Sequence, residues 1–492
     1  MKTGFSAKRL FRKGLRSGLI AASLFVLVFL VARYGIMPHF RHAVPQGMPR
    51  GDQSDQKVQL EFRPLLWQEV LQTSTPQMFV IRKPRGLIVS NAPESTFAPQ
   101  ETFEPDAIHA REDSAITLGT SFRPYFGNLH THTGWSDGKG DPATAFAHAR
   151  DVAHLDFMAV TDHPEFWLFD QDRNWRDLKD IAKVFTSSTF VALAGFEYSS
   201  PAFGHYTVIE SNSVCSAFKC ARLSQFYDWL SGPGGEGAVV FFSHPLQQKD
   251  NATAYEFAQF RPHPGAMKKM AGIEVIHWGG YRHFLDGFSG TQPFIDEALE
   301  LGWRLGSVSA QDNHGFNWGS GGTNRMVLLL NHLSRESVME ALVQRRFYAT
   351  SSRLLQFTAQ AQLGDGSWLQ MGQETETRKL PAGDIMLVAR FFEPDVDQIP
   401  HRFEWIVNGR IVGDFDFYER SDMREYMDSK QYYAGELKLE LPRHLLREER
   451  LNYIYARFYQ RDSLDPFTQS SPIFFRGSNY QPPAYAGPKE SW

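Results

Sequence analysis

Six apolar runs, each closed by histidine or a carboxylate, set the rhythm of this chain and restrict what it can fold into. YFGNLHTH ends at His130 and His132, FMAVTDH at His163 and FVALAGFEY at Glu197. AVVFFSHP then ends at His244, GIEVIHW carries Glu274 and His277, and GSVSAQDNH ends at Asp312 and His314. The steps from His130 to His163, Glu197, His244, His277 and Asp312 are 33, 34, 47, 33 and 35 residues, close to the length of one strand plus a crossover helix. Continuous apolar runs suit parallel strands covered on both faces. Such strands closed into a barrel bring their carboxyl ends to one rim. The spacing points to an α/β fold, and if it closes as a barrel its polar strand ends share one pocket. One histidine at a strand end is more often packed or hydrogen-bonded, so the weight lies in the shared phase.

The first run carries the densest chemistry. Residues i and i+2 of a strand point the same way, so His130 and His132 can grip one ion from a single strand end. Asp137, carried past the strand by the Gly134-to-Gly138 turn, can reach a neighbouring ion. Asp141 followed by Pro142 then opens a helix, with the acid as its cap.

The rest of the chain frames this block. Six positive charges between Lys2 and Arg16 precede the uncharged run Ser17–Ala32 (SGLIAASLFVLVFLVA), a basic region and an apolar segment of the kind that exports a protein. No small-x-small cleavage site is evident. The expectation is a transmembrane signal anchor over 1–37 in the inner membrane, with the body in the periplasm or otherwise outside the cytoplasm; a cleaved secretion signal is the alternative. The first fifty residues hold nine Lys/Arg and no acid, leaving 42 basic against 55 acidic residues, a net of −13. A body that acidic is a poor partner for nucleic acid, whose binding needs Lys/Arg against phosphates. Residues 38–120 read as a spacer packed on the body. The close pair Cys215 and Cys220 favours a local disulfide in an exported protein, with free thiols as the alternative. After one more strand and a helix capped by Ser334, periodicity changes to alternation from about Leu355. Asn408-Gly409 between two alternating runs marks a hairpin, and several short strands predict a small β-sandwich over 355–476. Only His401 and His444 of the seventeen histidines fall there. The Pro-rich 477–492 reads as a disordered tail.

HTHTGWSDG, AVTDH, GFE, GHY, SHP and QDNH, in this order, resemble the motifs of the PHP (polymerase and histidinol phosphatase) superfamily. With RRFYATSS and IYARFYQRDSLDPFTQSSPIFF, the chain resembles an exported branch known as a domain of unknown function. The resemblance spans Tyr125 to Phe475, and its motifs are specific as a set. It implies a metal-dependent hydrolase barrel over 121–354: a distorted (β/α)7 fold with a trinuclear site. One ion would be held by His130, His132, Glu197 and Asp312, a second by Glu197 with His205 and His244, and a third by Asp137, His163 and His314. Six imidazoles and three carboxylates without a thiolate suit two or three Zn, Mn or Fe ions rather than a closed structural zinc.

Catalytic roles fall on Glu197, Asp312 and His277, the last as a general acid that protonates a leaving group. A hydroxide bridging two ions would attack the substrate. Asp162 either orients an imidazole or holds a turn. Arg282, His283 and Arg325 are candidate substrate contacts at the rim, or members of surface salt bridges. The leading function is hydrolysis of a phosphoester in a small-molecule substrate. The alternatives are hydrolysis of an amide, ester or lactone by the same centre, and a non-catalytic envelope protein that binds metal or ligand.

Overall fold

The computed structural model describes residues 58–64, 122–167, 170–245, 256–277, 294–395, 398, 400–419, 432–460 and 466–483. The expected anchor, most of the spacer, and Arg282 and His283 lie outside the described residues. No helix among the described residues is long and apolar enough to cross a membrane.

The protein is mixed α/β. After β1 (Leu60–Pro64), seven strands follow in spatial order: β2 (Arg123–Asn128), β3 (Phe157–Val160), β4 (Val191–Ser200), β5 (Gly204–Ile209), β6 (Val239–Ser243), β7 (Met270–His277) and β8 (Gly306–Ala310). Helices α1 (Pro142–Asp151), α2 (Gln171–Phe185), α3 (Leu223–Ser231) and α4 (Phe294–Glu300) supply connections between them. Asp141 caps α1 as its sequence predicts, accepting from the Thr144 amide at 3.0 Å. Phe157, Ala159, Leu193, Phe241 and Val308 pack together on one side of these strands, whereas Met158, Val160 and Ala192 pack with the helices on the other. That two-sided burial is why the runs are continuously apolar.

Two expectations change. The seven strands are not all parallel: β5 runs against both neighbours, because three residues join it to β4 and no crossover fits in so short a loop. The sheet also does not close through a ladder. β2 and β8 meet only past their ends, where Thr131 and Asn313 form one parallel bridge. There Asp312 N donates to His130 O at 3.0 Å and His132 N to Asn313 O at 2.9 Å. Closure is thus confined to the rim that carries the polar side chains.

The other edge of β2 continues through β9 (Arg325–Leu330) and β10 (Phe347–Thr350), with α5 (Arg335–Val343) between them and Ser334 as its cap, accepting from Ser337 N at 3.1 Å. β11 (Gln356–Gln362), β12 (Trp368–Gln370), β14 (Ile385–Glu393) and β17 (Tyr433–Leu441) form a second sheet with β1. The remaining strands β13 (Glu374–Glu376), β15 (Pro400–Val407), β16 (Arg410–Asp416), β18 (Leu451–Gln460), β19 (Pro466–Ser470) and β20 (Ile473–Arg476) join the large sheet. Phe357, Phe391, Leu439, Trp405 and Phe458 fill the space between the layers. The sandwich is therefore not built from 355–476 alone: it takes an edge strand from the spacer, and one of its layers is continuous with the α/β sheet. Nor is the tail disordered where it is described. Asn479 N donates to Glu448 O at 2.8 Å, and Pro483 packs on Gly302, where an added Cβ would come within 2.8 Å of the proline ring.

Candidate metal centre

Strand ends deliver the histidines, and a second set of side chains aims them. His130 Nδ1 lies 2.7 Å from Glu274 Oε1, so the ring donates there and turns Nε2 into the pocket. His163 Nδ1 is held by Ser199 Oγ at 2.6 Å, and His314 Nδ1 donates to Asp312 O at 2.8 Å. In all three imidazoles the held nitrogen leaves Nε2 to face the cluster. Glu274 also takes the His244 amide on Oε2 at 2.7 Å, so one buried carboxylate sets two of the histidines. The sequence placed Glu274 on the right strand without giving it a role; its signal was an acid inside an otherwise apolar run, three residues before His277.

Asp162 proves to be the turn holder. It accepts from Thr133 N at 2.7 Å, Thr133 Oγ1 at 2.5 Å and Ser136 Oγ at 2.5 Å, fixing the segment that carries Asp137. At Gly138 a side chain would put Cβ 2.7 Å from the His132 carbonyl carbon, so that segment folds back only because the residue is glycine. His244 and Asp312 occupy the left-handed region with φ of 26° and 46°, a cost expected where structure serves a site.

The nine expected residues come together as three groups: His130, His132, Glu197 and Asp312; Glu197, His205 and His244; and Asp137, His163 and His314. His132 borders the third group as well as the first, through its other ring nitrogen, Nδ1. In the first group, Nε2 of His130 and His132 are 3.2 Å apart, and Glu197 Oε2 lies 3.1 and 3.3 Å from them. Asp312 Oδ1 lies 3.3 and 2.9 Å from the same two nitrogens, yet has no aligned hydrogen bond among the described residues. Four ligands about 2 Å from a tetrahedral ion stand about 3.3 Å from one another, so the spacing fits a common ion better than mutual hydrogen bonds. Glu197 Oε1 serves the second group, 3.1 Å from His205 Nδ1 and 2.8 Å from His244 Nε2. His205 sits at the amino end of the reversed β5, not at a carboxyl end as expected. Asp137 in the third group is 3.3 Å from His314 Nε2 and 3.7 Å from His163 Nε2.

The electrostatics match. Burial disfavours charge on His130 and His132, but Glu197 and Asp312 outweigh it, holding His130 well above its ordinary value and His132 at about 10. Burial also works against the Glu197 and Asp312 carboxylates, yet the surrounding imidazoles hold both well below the usual carboxylate range. Burial, aided by the neighbouring His132 charge, drops His163 to about 3. The carboxylates thus favour positive charge at His130 and His132, which divalent cations would supply instead.

Two other expected residues are placed differently. His277 ends β7 with Nε2 3.4 Å from Asp312 Oδ2, beside the first group. Arg325 is buried at the start of β9, its Nη1 donating to Gly322 O at 3.1 Å and Asn324 O at 2.8 Å, rather than lying at a solvent-exposed rim. Cys215 and Cys220 form a disulfide with Cα atoms 6.0 Å apart.

No family model matches the chain, and no curated protein matches its sequence. Among solved structures it is similar to a two-domain protein containing a predicted PHP-like metal-dependent phosphoesterase from Bacteroides vulgatus ATCC 8482, with 14% identity and a TM-score of 0.38 over 71% of this chain and 95% of that one. PsfC from Pseudomonas syringae PB-5123 matches with 14% identity and a TM-score of 0.31 over 45% of this chain and 88% of that one. The lesion-specific endonuclease PfuEndoQ from Pyrococcus furiosus matches with 11% identity and a TM-score of 0.27 over 45% of this chain and 56% of that one. Likeness at this level carries no weight beside the side-chain geometry.

Proposed function

We propose that the chain is a metal-dependent phosphoesterase of the PHP type acting on a small phosphorylated molecule. One observation carries the reading: four donor atoms from His130, His132, Glu197 and Asp312 stand at the mutual spacing of ligands to one ion, with the second oxygen of Glu197 shared by His205 and His244. Divalent ions held there supply Lewis acidity and lower the pKa of a bound water toward neutrality. The protein's own part is to hold that geometry. Glu274 and Ser199 orient imidazoles, Asp162 pins the turn bearing Asp137, and His277 donates a proton to the leaving oxygen.

The test is turnover by the full chain loaded separately with Zn, Mn and Fe. Aryl phosphate mono- and diesters should be cleaved, and chelation should abolish the activity until metal is returned. Turnover confined to aryl esters, amides or lactones would move the chain to that class. The burial of Arg325 gives this second reading its specific support, since it removes one expected phosphate clamp from the rim. His277→Ala should slow poor alkyl leaving groups far more than nitrophenol, which needs no proton; equal, unimpaired rates on both would contradict the role. We also place the body outside the cytoplasm, tethered by its basic and apolar amino terminus. The disulfide supports an oxidising compartment, and the net charge of −13 beyond residue 50 supports a small-molecule partner over nucleic acid.

A further inference from the structure

A buried guanidinium ordinarily has a carboxylate beside it, because desolvating an unpaired charge costs several kcal/mol. Arg325 is 4% exposed and has no carboxylate partner among the described residues; its bonds are two from Nη1 to the carbonyls of Gly322 and Asn324. Arg353 follows by three residues Thr350, which pairs with Arg325 across β9 and β10, and its buried Nε has no hydrogen-bond partner among the described residues. Burial and the charge of Arg353 push Arg325 down to about 9. The Asp395 carboxylate favours the charge on Arg353 against its burial. In β9, Val327 and Leu329 pack into the sandwich core while Met326 and Leu328 pack against the other strands. Arg325 shares the face of Val327 and Leu329, so it lies on the side of the sheet away from the barrel interior.

We propose that Arg325 and Arg353 form a binding site for a small oxyanion, a phosphate or carboxylate, between the large sheet and the sandwich and separate from the metal centre. Guanidinium forks match such groups in shape and charge. The site is also wired to the centre. Gln311, next to Asp312, donates through Nε2 to the same two carbonyls as Arg325, at 3.4 Å to Gly322 and 3.3 Å to Asn324. A bound anion would brace the 311–325 loop that presents Asp312 and His314. This proposal does not depend on the reaction assigned above.

The experiment uses the full chain stripped with EDTA, so that phosphate cannot report through bound ions, at constant ionic strength held with chloride. Melting temperature and calorimetric heat are followed during titration with phosphate and, separately, with acetate. The expected result is a saturable rise of about 1–2 °C with at least one anion near tenfold its dissociation constant. The rise should persist in His244→Ala and vanish in Arg353→Gln and Arg325→Gln. Arg353 is only part-buried, so its variant keeps the test open if Arg325→Gln does not fold. A response greater with phosphate identifies a phosphoryl group, and a greater acetate response a carboxylate. Wild type that responds to neither, or an Arg353→Gln protein that responds like wild type, overturns the proposal.

Discussion

The first and third ligand groups share a centre but are built to different tolerances. Glu197 is 1% exposed and the donor atoms around it stand 2.8–3.5 Å away. Asp137 is 40% exposed, sits on a turn rather than a strand, and its imidazoles are 3.3–3.7 Å away. A buried, closely spaced set holds its ion against water, whereas an open, wider set must be drawn together by it. The inner group should therefore be permanent and the outer ion exchangeable.

Several changes would break or sharpen that contrast. Glu197→Ala should act most strongly, removing the bridging carboxylate and taking metal content below one ion per chain and activity below detection. Elemental analysis and turnover of one preparation check it; two retained ions would show that Glu197 is no bridge. Asp137→Ala should lose one ion and leave the inner group loaded, and equal loss of all ions would erase the distinction between the groups. Glu274→Gln keeps the size but loses the charge, and its amide cannot accept from both His130 and His244 N. A loss of about 10- to 100-fold in metal affinity is expected, as for other residues that orient metal-bound histidines. An affinity within twofold of wild type would deny it that role.

The smallest effect lies far from the metals. Asp296 on α4 is buried, and burial raises its carboxyl to about 7 against the pull of Arg457 and the 3.1 Å bonds from Tyr455. A raised folded-state pKa gives stability that is full below the ordinary value near 4 and lost as pH rises through 7. Asp296→Asn removes that loss, so its melting temperature should fall less than that of wild type between pH 5 and pH 8. Parallel curves would contradict the assignment.

Much of this architecture was legible because it is local. Asp141 and Ser334 announced helix starts, and Asn408-Gly409 was read as a two-residue hairpin; both residues have positive φ, 49° and 74°. The strand rhythm marked the ligands because a strand end has only a few exposed positions, and the chain placed polar groups there. Pairing was less legible. Nothing within GHYTVIE says that it runs backward; the only sign is the three-residue gap before it. β1 reads as part of a spacer until β17 pairs with it. Glu274 stayed without a role because its partner His130 lies 144 residues away, and a buried acid shows its purpose only beside the base it orients. Arg325 was expected at the rim because an arginine after GGTN looks exposed, but strand alternation turns it toward the sandwich.

The central claim is that Glu197 bridges the two buried groups and that the open Asp137 group adds a further ion to the same centre. Metal content of the purified full chain, measured after reconstitution and desalting, tests it most directly. Two or three transition-metal ions per chain, with the outer one removed first by a weak chelator, is the predicted result. Fewer than two ions per chain would contradict it.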